Sequence, residues 1–307
     1  MKKIGFACIW FGNMPNFMKP WLESCRNNPT IDFHFFTNAK DSFDYPPNVT
    51  KHFISFEDFR DKFTKIYDFE CRVDTPYKLC DIRPAFGEVL HEYLKDYDFW
   101  GYCDEDLVWG DIRHFITDEI LEKHDRIMTR GHCSIYRNTP EVNSYYRTLP
   151  RKGHMDYYET LRDPEVCAFD EWANHRGGGV SAVFEDNGIS MYKEPVMADI
   201  FVPKGNFVIN YRPDLKGTSH FLYDQGKLYA CGKNKEKGVF KEEVLYCHFQ
   251  KRKIEIDENL DYQHYIFEPI GRMRNPDAKK HTFKKNAAIF KKNARYFLST
   301  VYHKIRK

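Results

Sequence analysis

The sequence predicts an α/β fold, a mainly parallel sheet flanked by helices, with a basic amphipathic helix at its C-terminal end. Three observations predict it. Apolar runs at Lys3–Trp10 and Asp32–Thr37 bracket a helical stretch at Phe17–Arg26, and a strand–helix–strand start favours parallel pairing. A further apolar run, Tyr97–Cys103, ends abruptly in Asp104-Glu105-Asp106. From Phe283 onward, apolar residues fall three and four apart among lysines and arginines, which is the period of a one-sided helix.

The first strand imitates a signal peptide, with two lysines ahead of an apolar stretch. That stretch is short, contains Gly5, and runs into Asn13-Met14-Pro15-Asn16 without a small-residue cleavage site, so a buried strand explains it better. Pro46-Pro47 precedes a third strand at Val49–Phe53. Phe59, Phe63, Ile66 and Tyr67 give residues 56–70 helical spacing. Pro84 opens a helix to Leu94, with Phe86, Val89, Leu90 and Tyr93 on one stripe. Ile112–Lys123 reads as another helix, and Ile127–Thr129 and His132–Tyr136 as short strands. Residues 150–180 are irregular around Gly177-Gly178-Gly179, a loop signal. Val196–Val202, Phe207–Tyr211, Lys227–Cys231 and Val244–Phe249 supply further strands. With no linker or repeat visible, the expected organisation is one catalytic domain over 1–278 and a helical tail over 279–307.

Composition narrows the class. Hydrophobic residues at 42% and charged residues at 30% fit a globular chain of 307 residues. Aromatic residues reach 17%; most fill a core, though polar-tipped Tyr and Trp also suit sugar and nucleobase surfaces. The nine cysteines form no Cys-x-x-Cys pair, which argues against a disulfide framework or zinc ribbon and for a reducing cytoplasm. No apolar run reaches the roughly 20 residues of a membrane span. The net charge of +2 hides a split. The tail carries ten Lys and Arg and no acid, so taking those ten from +2 leaves about −8 for the rest.

The sharpest chemical signal is Asp104-Glu105-Asp106 after a buried strand. Adjacent carboxylates repel one another and ask for a cation. An Asp-x-Asp at a strand end can converge on Mg²⁺ or Mn²⁺, which in turn grips phosphate oxygens; an acidic turn is the plainer alternative. His248, ending another apolar strand, is a candidate third ligand, or else a packed core histidine. Lys251 in the following Lys251-Arg252-Lys253 cluster is placed to meet a diphosphate. Lys78, Asp81 and Arg83 cluster ahead of Pro84, where Asp81 suits a base or ribose and the two cations suit phosphates; helix capping by Asp81 accounts for it equally. Asp170-Glu171, between Phe169 and Trp172, offers a carboxylate base for an acceptor hydroxyl, or the start of an ordinary amphipathic helix. Gly131-His132-Cys133-Ser134 is a fifth, weaker candidate for sugar contacts.

The order of these features resembles GT-A glycosyltransferases, whose fold is Rossmann-related: a β-α-β start, Lys78-x-x-Asp81-x-Arg83-Pro84, a strand into Asp104-x-Asp106, Gly131-His132-x-Ser134, Asp170-Glu171-Trp172, then His248. Tyr77–Asp111 in particular resembles a bacterial group associated with capsular and other surface polysaccharides. The resemblance implies a metal, Mn²⁺ or Mg²⁺, on Asp104, Asp106 and His248, with the nucleotide near Asp81 and Arg83. It also implies a nucleotide-diphosphate sugar donor, UDP-linked as the first choice, and a saccharide or lipid-linked acceptor. Two other readings stay open: a metal-dependent nucleotidyl- or phosphotransferase, and a non-catalytic carbohydrate-binding scaffold at the membrane. Phe11-Gly12-Asn13 is no Gly-rich phosphate loop, which weighs against the first.

The tail has two readings of its own. Phe283, Ala287, Phe290, Ala294, Phe297 and Val301 form one stripe, which either lies on an anionic membrane at the inner face of the plasma membrane or docks on the acidic body. Nucleic acid is not expected as a partner, because the body is acidic.

Overall fold

The computed structural model describes residues 1–172, 177–250, 252–278 and 282–305, with side chains of 282–285 and 301–305 left aside. The chain forms two compact units whose segments interleave. The first comprises Met1–Met14, Pro29–Asp104 and Ile116–Glu194; the second comprises Pro15–Asn28, Glu105–Phe115 and Pro195–Lys307.

The first unit is built on a seven-stranded sheet. Its order is Val49–Phe53, Ile31–Thr37, Ile4–Trp10, Phe99–Cys103, Cys133–Arg137, Arg126–Arg130 and Met191–Tyr192. The first four strands run parallel, Cys133–Arg137 is antiparallel to both its neighbours, and Met191–Tyr192 pairs parallel with Arg126–Arg130. The mixed α/β expectation therefore holds. Ile4–Trp10 sits between two parallel partners and is apolar almost throughout, as a strand covered on both faces must be. Phe36, Phe59, Phe63, Phe86, Trp100 and Tyr102 belong to the core over this sheet.

Local chemistry explains where elements stop. Ser55 caps the helix Phe56–Thr64 by accepting from Asp58 N, and the helix ends short of residue 70. Pro84–Leu94 is not one helix. The chain passes from Leu79–Ile82 through a 3-10 turn at Arg83–Ala85 into two short helices, Phe86–Val89 and His91–Leu94. Pro84 lacks the N–H that a continuous helix would need there and its ring crowds the preceding turn, so the tighter turn takes over. Ile112–Lys123 also divides, into Ile112–Phe115 and Asp118–Lys123, because Thr117 starts a new helix by accepting from Ile120 N. The irregular stretch 150–180 holds the helix Tyr157–Arg162, opened by a capping box of Asp156 and Glu159.

The second unit has two sheets. One orders Ile209–Asn210, Ala198–Ile200, Tyr246–His248 and Leu107–Trp109. The other orders Gly238–Glu243, Lys227–Asn234, Thr218–Asp224, His264–Phe267, Arg272–Arg274 and Glu255–Ile256. Phe207, Phe221, Tyr223, Phe249 and Phe267 pack in its core. The basic tail is helical over Thr282–Ile305 and belongs to this unit. All nine cysteines are free thiols, and among the described residues no helix is long and apolar enough to cross a membrane.

Candidate functional site

In the first unit, the fully buried strand Phe99–Cys103 delivers Asp104 at its C-terminal end, where open parallel sheets bind ligands. Asp104 N donates to His132 O at 3.0 Å, which fixes the backbone. The Arg83 guanidinium joins two carboxylates. It pairs with Asp104 Oδ1 through one nitrogen, and through the other with Asp170 Oδ2 at 3.1 Å and Gly131 O at 2.5 Å. The same group lies 5.4 Å from the Tyr102 ring centroid. Burial works against the charge of Arg83, but Asp104 beside it holds it above the ordinary arginine range.

Asp170 is 3% exposed. Burial, opposed by Arg83 and reinforced by the nearby Glu171, Asp81 and Asp104, pushes its carboxyl up to about 7. A Cβ at Gly131 would stand 3.0 Å from Asp170 Oδ2, so the close approach there asks for glycine. Glu171 is half-buried and accepts from Gly131 N at 3.3 Å.

Several side chains that the motifs did not single out hold Asp170 in place. Arg126, wholly buried, donates to Asp170 O at 3.0 Å and to the hydroxyls of Ser134 and Ser181 at 3.1 and 2.9 Å. Tyr102 OH donates to the same Asp170 carbonyl at 2.9 Å. Ser134 of the Gly131–Ser134 motif thus lies buried beneath Asp170, anchoring Arg126.

Lys78 and Asp81 form a separate, buried pair. The Lys78 ammonium donates to Asp81 Oδ2 at 2.7 Å, Thr160 O at 2.9 Å and Glu165 O at 2.6 Å, which uses all three of its protons. Asp81 also accepts from Cys167 N at 2.8 Å and Phe169 N at 2.9 Å. The pair therefore pins the segment leading into Asp170. In that segment Ala168 adopts φ of 55°, a left-handed conformation costing a non-glycine residue about 1 kcal/mol or more.

In the second unit, strand register assembles the other half of the motif. His248 pairs with Leu107 on one side and Asp199 on the other, and Phe249 N donates to Asp106 O at 3.0 Å. His248 Nε2 lies 3.2 Å from Asp106 Oδ1, and Nδ1 lies 2.8 Å from Asp199 Oδ1. Asp199 accepts as well from Gln250 Nε2 at 2.8 Å and Asn210 Nδ2 at 2.7 Å. Both His248 and Asp199 are 6% exposed. Asp199 was not singled out in the sequence; its one signal is a carboxylate inside the apolar run Val196–Val202.

This donor set fits a divalent cation. Carboxylates only accept, and a neutral imidazole has one N–H, which Asp199 takes. The Nε2 lone pair then confronts the Asp106 carboxylate, and two facing acceptors need a proton or a cation between them. Oxygen with imidazole nitrogen is a set that Mn²⁺ accepts. Asp106 and His248 are thus ligand candidates, and Asp104 is tethered to Asp106 through Glu105 alone, within about 7 Å by backbone length. Lys251 lies outside the described residues. Its neighbour Arg252 is 5% exposed and donates to Pro269 O and to Lys204 O, so it serves structure rather than a ligand.

A model for a family of unknown function, DUF6625, matches residues 6–276, and the chain belongs to that family. No curated protein matches it. Among solved structures, the galactosyltransferase LgtC in complex with donor and acceptor sugar analogs aligns at 10% identity and a TM-score of 0.35, over 64% of this chain and 75% of that one. An active-site mutant of LgtC aligns at the same identity and TM-score, over 64% and 74%.

Proposed function

We propose that the protein is a metal-assisted glycosyltransferase that moves a sugar from a nucleotide-diphosphate donor, UDP-linked as the first choice, to a saccharide or lipid-linked acceptor in surface-polysaccharide synthesis. The observation that carries this reading is the Asp106–His248 pair, with Nδ1 of the ring held by Asp199 and Asp104 two residues away at the end of a buried strand. Asp104, Asp106 and His248 would hold Mn²⁺ or Mg²⁺. Such an ion supplies positive charge against a diphosphate as it becomes the leaving group.

The chain's own groups then divide the work. Arg83 fixes the Asp104 carboxylate and adds a permanent positive charge beside the phosphates. Asp170, buried against Arg83, holds that guanidinium in place from its other side. Glu171 is the more accessible of the two acids. In an inverting transfer Glu171 or Asp170 takes the acceptor hydroxyl's proton; in a retaining transfer the pair binds acceptor. Nucleotide contacts fall to Arg83 and to Lys251, while Lys78 and Asp81 act by holding the Cys167–Asp170 segment. A cytoplasmic location belongs to the proposal, supported by nine cysteines without a disulfide.

Melting curves with a panel of nucleotides and nucleotide sugars, each with and without Mn²⁺, test this directly, since a ligand that binds the folded state raises its apparent stability. The reading expects a Mn²⁺-dependent rise with a diphosphate nucleotide, lost in Asp104→Asn. A folded protein whose melting responds to none of them would overturn the donor site.

A further inference from the structure

The basic helix Thr282–Ile305 meets its own unit along one face and leaves a different, aromatic face uncovered. The docked face is Ile289, Asn293 and Tyr296, spaced three and four apart as one side of a helix requires. Gly205 N donates to Asn293 Oδ1 at 2.9 Å, and Asn293 Nδ2 donates to Asn206 Oδ1 at 3.1 Å. Tyr296 packs edge-on against Phe201 at 5.7 Å between centroids, with Lys204 over its ring. A Cβ on Gly205 would stand 2.7 Å from the Ile289 backbone, so that glycine lets the helix lie close.

One position further along the chain lies another face. Phe290 is 75% exposed, and Phe297 and Leu298 are each 66% exposed. Lys291 and Arg295 beside them are also exposed. Phe290 and Phe297 of the stripe recognisable in the sequence are therefore not what attaches the helix to the protein. If charge attraction to the acidic body held the helix, its cations would meet acids there; the half-buried Lys292 instead lies near the like-charged Arg252, and burial together with that charge lowers its pKa.

We infer that this face is a docking surface for an anionic phospholipid bilayer. The helix lies in the headgroup region with Phe290, Phe297 and Leu298 entering the acyl boundary, while Lys291 and Arg295 meet lipid phosphates. An anionic occupant follows from the charge of the tail, which carries ten Lys and Arg over 279–307, six of them within the helix, without one acid. An apolar, sheet-like occupant follows from three large apolar side chains exposed along the helix. Docking of this face does not depend on the donor site and survives its failure.

Sedimentation of the full chain with vesicles of phosphatidylcholine, with and without phosphatidylglycerol, is the test. The wild-type chain should bind only the anionic vesicles, and less as salt rises. Lys291→Gln with Arg295→Gln should weaken binding roughly thirtyfold, and Phe290→Ser with Phe297→Ser and Leu298→Ser should abolish it at unchanged melting temperature, since all three are exposed. Asn293→Ala, on the docked face, should leave vesicle binding intact. No partition onto anionic vesicles, or binding indifferent to the aromatic changes, overturns the inference. Self-association that the aromatic variant abolishes, without vesicle binding, would assign the face to a second copy instead.

Discussion

Nδ1 of His248 donates to Asp199 across 2.8 Å, and Nε2 of the same ring lies 3.2 Å from Asp106. Since the Asp199 carboxylate takes the ring's one N–H, it sets the tautomer and aims the Nε2 lone pair toward Asp106. Carboxylates behind metal-bound imidazoles raise ligand basicity, and removing one commonly lowers affinity by about 10–100-fold. Asp199→Ala should accordingly weaken Mn²⁺ binding by that order, read by calorimetry or by the spin signal of free Mn²⁺ with no substrate present. Unchanged affinity would mean that His248 is a packed core histidine held between two acids.

Lys78 leads to a stability prediction. Its ammonium and the Asp81 carboxylate are both inaccessible to water, and breaking a buried pair by removing one partner typically costs about 3–5 kcal/mol. Lys78→Met should lower stability by that order in urea denaturation. Hydrogen exchange at the Cys167 and Phe169 amides, which donate to Asp81, should accelerate in the same variant. Exchange that stays slow there would show that Asp81 holds the segment without Lys78.

The sequence reveals local features better than partnerships. Ile4–Trp10 is legible because a buried parallel strand is an uninterrupted apolar run. Asp104 and Asp106 are legible because three acids interrupt such a run. The role of Lys78 is not, since lysine is ordinarily exposed, and its burial depends on carbonyls 82 and 87 residues away. Asp199 escapes for the same reason: only the parallel pairing of Ala198–Ile200 with Tyr246–His248 brings it to a ring 49 residues distant. The tail helix is legible from its period, but the face it docks with is set by Gly205 and Asn206.

Arg83 bridges two acids and a carbonyl with one planar group, which an ammonium cannot reproduce. Arg83→Lys should leave Asp104 or Asp170 without its cation. The expected consequence is a fall in kcat on the order of a hundredfold for sugar transfer, with a smaller effect on donor KM. The measurement uses whichever nucleotide sugar raises the melting temperature. A variant with full kcat would remove Arg83 from the reaction and leave it a structural bridge.

Asp170 ties the site to pH. Its carboxyl, ordinarily near 3.8, is pushed to about 7 in the folded chain, chiefly by burial. Between those values the folded chain keeps a proton that the unfolded chain has released, so this residue's contribution to stability falls as pH rises through that window. Above about 7 the buried charge stands as a full cost, on the order of a few kcal/mol. Asp170→Asn removes the titration while keeping the shape. The variant should therefore gain on the parent as pH rises from 5 to 8, read as the difference between their urea midpoints at each pH. If Asp170 is ionised at both pH values, that difference stays constant, and Arg83 alone suffices to hold the charge in the core.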